Sequence, residues 1–215
     1  MTRGSRALAG VLLGAVTVTS APARTIMLTD LDTVKIAAIH AEFPTSSWAG
    51  WNYGDGHFAN ANLSASHDSA VLIQFPLDRV PKGQRIVNAE LFVPTVYAYI
   101  SSPSNVMIWR LLAPWGLGVS HRYRQARPEK VPWAAPGGRG PGVDRALAPT
   151  RAVRVSPGPF TLRFDVTSDI QFWYQGAAPN YGWIITMEED VGVAAIVNPL
   201  ASPGNYTLRI TYEPQ

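Results

Sequence analysis

The stretch Phe160-Thr161-Leu162-Arg163-Phe164-Asp165-Val166 decides the fold, because apolar side chains stand at every second position with polar ones between them. A period of two sends alternate side chains to opposite faces of an extended strand, whereas a helix needs its apolar residues three and four apart. The same alternation returns in Val71, Ile73 and Phe75, parted by Leu72 and Gln74, and in Tyr206, Leu208, Ile210 and Tyr212, parted by Thr207, Arg209 and Thr211. Each reads as a half-buried strand with one wet face. Residues 34–39, 85–93, 106–112, 183–187 and 191–197 bring the count to about eight strands, separated by Pro, Gly, Ser and Asn clusters. The expected fold is all-β, a two-sheet antiparallel β-sandwich of the jelly-roll kind. One short helix is expected to cap an open end. Thr167 or Ser168 supplies the polar start, Ile170, Trp173 and Tyr174 follow at helical spacing, and Gly176 is the stop.

Composition agrees with a packed core. The chain has 215 residues, 47% of them hydrophobic and 15% charged, with 18 Gly, 18 Pro and no Cys. The low charge and ordinary apolar share exclude disorder for most of the chain. The lack of cysteine excludes disulfides, thiolate metal sites, a Cys nucleophile and thiol redox chemistry.

Residues 1–23 have a basic start at Arg3 and Arg6, an apolar run over 7–18, and the small-residue site Ala21-Pro22-Ala23. That is the three-part pattern of a signal peptide, and the run is too short to span a bilayer as a helix. The mature protein is thus expected to begin near Arg24, to be secreted or displayed at the cell surface, and to keep no membrane span. Without Arg3 and Arg6 the formal charge falls from +3 to +1, so a nucleic-acid partner is not expected. A single jelly-roll domain is expected over residues 24–215.

Residues 113–159 interrupt the strand pattern with eight prolines and the run Pro136-Gly137-Gly138-Arg139-Gly140-Pro141-Gly142. No strand feeds that run and no Lys-Ser or Lys-Thr pair follows it, so it is not a phosphate loop, and it reads as a mobile surface loop. Residues 121–154 hold eight basic side chains against Glu129 and Asp144, a net of +6. Such a stripe suits an anionic polymer or a solvated loop.

Enzymatic chemistry finds little support. The histidines, His40, His57, His67 and His121, have no metal-ligand spacing. There is no Gly-x-Ser-x-Gly elbow, and Glu188-Glu189-Asp190 are neighbours on a turn, not two carboxylates facing across a cleft. The protein is expected not to be an enzyme and to need no organic cofactor. The only ion suggested is a structural calcium drawing on Glu188-Glu189-Asp190, Asp55 or Asp165, since calcium takes loop carboxylates.

The aromatic residues carry the binding argument. Trp48, Trp51 and Tyr53 lie in the Gly-containing loop Ser47-Trp48-Ala49-Gly50-Trp51-Asn52-Tyr53-Gly54, outside any periodic strand. Flat amphipathic rings suit the C–H faces of sugars. Arg122, Tyr123 and Arg124 join them as candidate ligand-binding residues, for an anionic glycan in particular.

The order of segments adds a resemblance. Asn52-Tyr53-Gly54 is followed by Ala70-Val71-Leu72-Ile73-Gln74-Phe75, Pro81-Lys82-Gly83 and Ile86-Val87-Asn88-Ala89-Glu90-Leu91. Trp115, Trp133, Phe164-Asp165-Val166-Thr167, Gln171-Phe172-Trp173, Asn180-Tyr181-Gly182 and Tyr206-Thr207-Leu208-Arg209-Ile210-Thr211-Tyr212 then come in turn. This series resembles the DNRLRE-type domain, a jelly-roll module of secreted and cell-surface proteins related to carbohydrate-binding modules. The resemblance implies a non-catalytic binding role and makes Trp115, Trp133 and Trp173 structural. Two departures, Arg122-Tyr123-Arg124 with Arg127, and Asn198-Pro199-Leu200-Ala201-Ser202-Pro203, sit in loops and leave the ligand open. The expected function is recognition of an extracellular polysaccharide. The alternative is a structural or adhesive surface module acting on cell-surface or matrix proteins.

Overall fold

The computed structural model describes residues 21–29, 35–45, 60–197 and 206–214. Trp48, Trp51, Tyr53, Asp55, His57 and most of the expected signal segment lie outside the described residues.

The described strands form an antiparallel sandwich. One sheet runs β1 (Arg24–Thr29), β14 (Thr207–Pro214), β5 (Gln84–Val93), β11 (Leu162–Asp165), and a shorter one runs β3 (Asn60–Leu63), β13 (Gly192–Val197), β6 (Thr95–Ile100). These two meet end to end. β5 passes into β6 through Pro94, which has no N–H to donate, and the ladder is interrupted there. The opposing sheet runs β10 (Arg151–Val155), β7 (Ser104–Arg110), β12 (Trp183–Met187), β4 (Ala70–Gln74), β2 (Lys35–Ile39). Taking β1 with β3, β5 with β6 and β13 with β14 as single positions, the sheets read 1-8-3-6 and 2-7-4-5, with β2 added beyond β4. That order is the jelly roll.

The inner faces close one core. Leu91, Val93, Phe164, Leu208 and Ile210 from the first sheet meet Val71, Ile73, Ile108, Trp183 and Ile185 from the second. In β11 the expected alternation holds, with Leu162 and Phe164 buried and Arg163 and Asp165 exposed. The helix also forms where expected, as α1 (Thr167–Tyr174). Asp165 Oδ1 accepts the Thr167 N–H at 3.0 Å and the Thr167 hydroxyl at 2.7 Å, which holds the first turn. Buried Asp169 takes the Trp183 Nε1–H at 2.8 Å and the Thr150 hydroxyl at 2.6 Å, locking helix to sheet.

Two expectations are corrected. β4, expected to carry one wet face, is covered on both, with Leu72 as fully buried as Ile73, and Ile184 and Ile185 of the neighbouring β12 are buried likewise. The reason is the second correction: the irregular region 113–159, with the Pro/Gly run expected as a mobile loop, is folded onto the outer face of the five-stranded sheet. Leu111, Trp115, Val119 and Trp133 pack there on Ala37, Ile39, Ala70, Leu72 and Ile184 as a second core. Burying about 200 Å² per indole at about 25 cal/mol per Å² gives each tryptophan on the order of 5 kcal/mol before ordering costs, enough to hold a chain rich in Pro and Gly. Their ring N–H groups are satisfied, Trp133 on Ser120 O and Trp115 on Tyr181 O, both at 2.9 Å. Buried Asp144 knots the Pro/Gly run by accepting the N–H of Ala134, Ala135 and Gly140 at 2.9–3.0 Å. The rest of the expected loop supplies β10.

Candidate functional site

At one edge of the five-stranded sheet three segments converge. β2 ends at Ile39 and the chain turns through buried His40, whose carbonyl accepts the Phe43 N–H and whose Nδ1 accepts the Glu42 N–H, both at 3.1 Å. Beside it the β3–β4 connection is a turn closed by Ser69 N–H to Ser64 O at 3.0 Å and Ser64 N–H to Ser69 Oγ at 2.8 Å. Asp68 takes φ +42° there, a left-handed conformation that aspartate tolerates. The Ala41 N–H bonds His67 O at 3.2 Å and locks the two segments together. His67 Nδ1 then meets Glu42 Oε1 at 2.8 Å, and the His40 and His67 rings lie edge to face at 5.3 Å.

The third segment is the covering layer. His121 Nε2 donates to Asp68 Oδ2 at 2.7 Å, and Arg139 reaches Asp68 Oδ1 at 2.5 Å. Arg139 also bonds Glu188 at 2.9 Å, and Glu188 takes Arg145 at 3.4 Å and the Thr186 hydroxyl at 2.7 Å. Arg145 lies 3.9 Å over the Trp109 ring. This chain of charges clasps the layer to the sheet. Burial pushes Asp68 up, but the His121 hydrogen bond and the Arg139 charge outweigh it and hold its carboxyl below the ordinary range. Glu188 follows the same pattern, burial being outweighed by Thr186, Arg139 and Arg145. His40 is pushed down, chiefly by burial, so its ring is neutral at neutral pH.

Of the residues expected to bind ligand, the structure brings Arg122 and Tyr123 together. The Arg122 guanidinium stands 5.6 Å from the Tyr123 ring and Lys130 approaches the same ring at 5.8 Å. Tyr123 opens β8 (Tyr123–Gln125), which pairs with β9 (Val131–Pro132). Arg124 is drawn back to the layer, bonding Pro114 O through Nη1 at 2.7 Å. The Arg122 N–H bonds Pro44 O at 2.8 Å, which places this basic hairpin beside the chain four residues before Trp48. Among the residues considered for calcium, Asp165 is occupied with the helix start and Glu188 with two arginines.

Sequence reading missed the convergence of His40, Glu42, His67, Asp68 and His121, which no spacing announces because three separate segments supply them. It also passed over Tyr97 and Tyr99, both exposed on β6 with ring centroids 4.7 Å apart. Their alternation about Ala98 was the available signal. A cleft of about 50 Å³ lined by Arg110, Leu111, Trp173 and Tyr181 has room for a few waters, not for a sugar ring. No helix among the described residues is long and apolar enough to cross a membrane. No protein-family model and no curated protein matches the chain.

Proposed function

We propose that this protein is a secreted, non-catalytic module that binds an extracellular polysaccharide through Arg122, Tyr123 and Lys130, with Trp48 and Trp51 as further ligand contacts. The observation that carries the reading is the Arg122–Pro44 backbone bond, which sets a tyrosine with two flanking cations next to the segment that leads to the loop tryptophans. An aromatic ring between cations fits a sugar that bears carboxylate or sulfate groups. The covering layer supports an edge site, because it occupies the outer face of the five-stranded sheet, which is thereby closed to a ligand. The resemblance to DNRLRE-type domains points the same way and remains part of the proposal.

The test is a titration of the mature protein with neutral and anionic polysaccharides, read by tryptophan fluorescence. Saturable binding is expected with an anionic polymer, weakened by salt and lost or reduced at least about tenfold in Trp51→Ala and Tyr123→Ala. No response to any polymer overturns the reading, as does release of new reducing ends by the pure protein. Secretion is checked separately by N-terminal sequencing of exported protein, expected to start near Arg24.

A second reading has its own observation. Tyr97 and Tyr99, 39% and 68% exposed, stand side by side on the outer face of the three-stranded sheet, and aromatic rings of this kind are enriched in protein interfaces. An adhesive module would self-associate or bind a matrix protein through them. Light scattering that finds a strict monomer at high concentration, with no matrix partner lost in Tyr99→Ser, removes this reading.

A further inference from the structure

Apart from any glycan, we propose that His40, Glu42 and His67 form a binding site for a divalent transition-metal ion of the zinc type. The three side chains each bring one donor atom, and those atoms all lie within 4.8 Å of one another. A tetrahedral ion with bonds of about 2.1 Å spaces its donors about 3.4 Å apart, so closing the site asks for shifts on the order of 1.5 Å. Exposed Glu42 and half-exposed His67 can make them without disturbing the core. Their backbones are already fixed relative to each other by the Ala41–His67 hydrogen bond, so the ordering cost of bringing two segments together is met before the ion arrives.

The donor set selects the ion. Two imidazoles and one carboxylate suit zinc and its neighbours, whereas calcium and magnesium take six or more oxygens. Three protein ligands leave a fourth position for water. His121 is held away from the ion by its bond to Asp68 and belongs to the surrounding shell. In the metal-free state a proton between His67 Nδ1 and Glu42 Oε1 occupies the ion's place, at 2.8 Å. Binding also gives up the Glu42 N–H bond to His40 Nδ1, whichever ring nitrogen the ion takes. These losses set the expected dissociation constant on the order of micromolar, well short of the tightest structural zinc sites.

The experiment is calorimetric titration of the chelator-treated mature protein with Zn²⁺ and, separately, Ca²⁺, alongside thermal unfolding. One Zn²⁺ per chain is expected at micromolar Kd, with Tm raised by about 5–10 °C at a hundredfold excess over Kd, and no effect of Ca²⁺. His67→Ala and Glu42→Gln are surface changes expected to fold with little change in metal-free Tm and to weaken Zn²⁺ binding at least tenfold. Failure of the wild type to bind Zn²⁺ overturns the proposal. So does binding that is the same in wild type, His67→Ala and Glu42→Gln, since the ion would then sit elsewhere. Neither result touches the glycan reading, which rests on Tyr123 and Trp51.

Discussion

At the scale of single residues, one carboxylate decides whether the Pro/Gly run is a loop or a structure. Asp144 is 1% exposed and satisfies three backbone N–H groups of residues 134–140. Asp144→Ala leaves those donors unpaired in a buried setting, at a cost of about 2–4 kcal/mol in urea unfolding. Asp144→Asn keeps one acceptor oxygen and turns an amide N–H toward the others, so its loss is expected to be similar in sign and smaller. Gly140 sits so close that a Cβ would fall 2.6 Å from Asp144 Oδ2. None of this is legible in sequence, because an Asp followed by Arg in a proline-rich stretch carries no period. Trp115, Trp133 and Trp173 were legible as structural residues and are buried, although the first two serve a second core that the sequence did not announce.

At the scale of elements, the strands with a sustained apolar pattern were readable, the edge strands β2 and β11 among them, and β1, β6 and β10 were not. β11 stands where the alternation places it, since a strand with one face on a core must repeat at two. β10, Arg-Ala-Val-Arg-Val, is an edge strand that gives only Val153 and Val155 to the core, and its charges read as loop while protecting the edge. β1 follows directly on the segment read as a signal, and β6 places exposed tyrosines where a polar residue would mark the wet face. The candidate site was legible only in part. Tyr123 with its cations stood out by residue type, while the histidine cluster is a product of topology. The clasp that binds the covering layer predicts a pH dependence. Asp68 and Glu188 are held below their ordinary values of 3.8 and 4.5. The stability they contribute is therefore complete above those values, declines as pH falls through them, and is gone below the depressed folded-state values. Glu188→Gln is expected to be less stable than wild type at pH 7, and the difference should shrink steadily below about pH 4.5 and vanish at the acid end. Urea midpoints of both proteins from pH 7 to pH 2 check this. A difference that stays constant with pH would mean that Glu188 acts through shape and not through its charge.

At the scale of the whole molecule, the two cores share their strands. Ile184 faces the covering layer and Ile185 faces the sandwich interior, on adjacent positions of β12, and Leu72 and Ile73 divide in the same way on β4. The layer therefore cannot leave without exposing apolar residues of strands that the sandwich needs, and the sandwich cannot open without removing the surface on which the layer is built. Three levels, a jelly-roll sheet pair and its outer cover, should behave as one cooperative unit. Ile184→Ala and Ile185→Ala are expected to lower the same transition by about 2–4 kcal/mol each, although their side chains lie in different cores. In urea, tryptophan fluorescence, which reports Trp115 and Trp133 as well as Trp173 and Trp183, should then coincide with far-ultraviolet circular dichroism in a single transition. Two separated transitions in Ile184→Ala would show instead that the layer melts alone. The distinction bears on binding, because Arg122 and Tyr123 are mounted on that layer and take their rigidity from it. A layer that unfolds only with the sandwich presents its cations on a fixed backbone and would meet the proposed ligand with little backbone ordering cost.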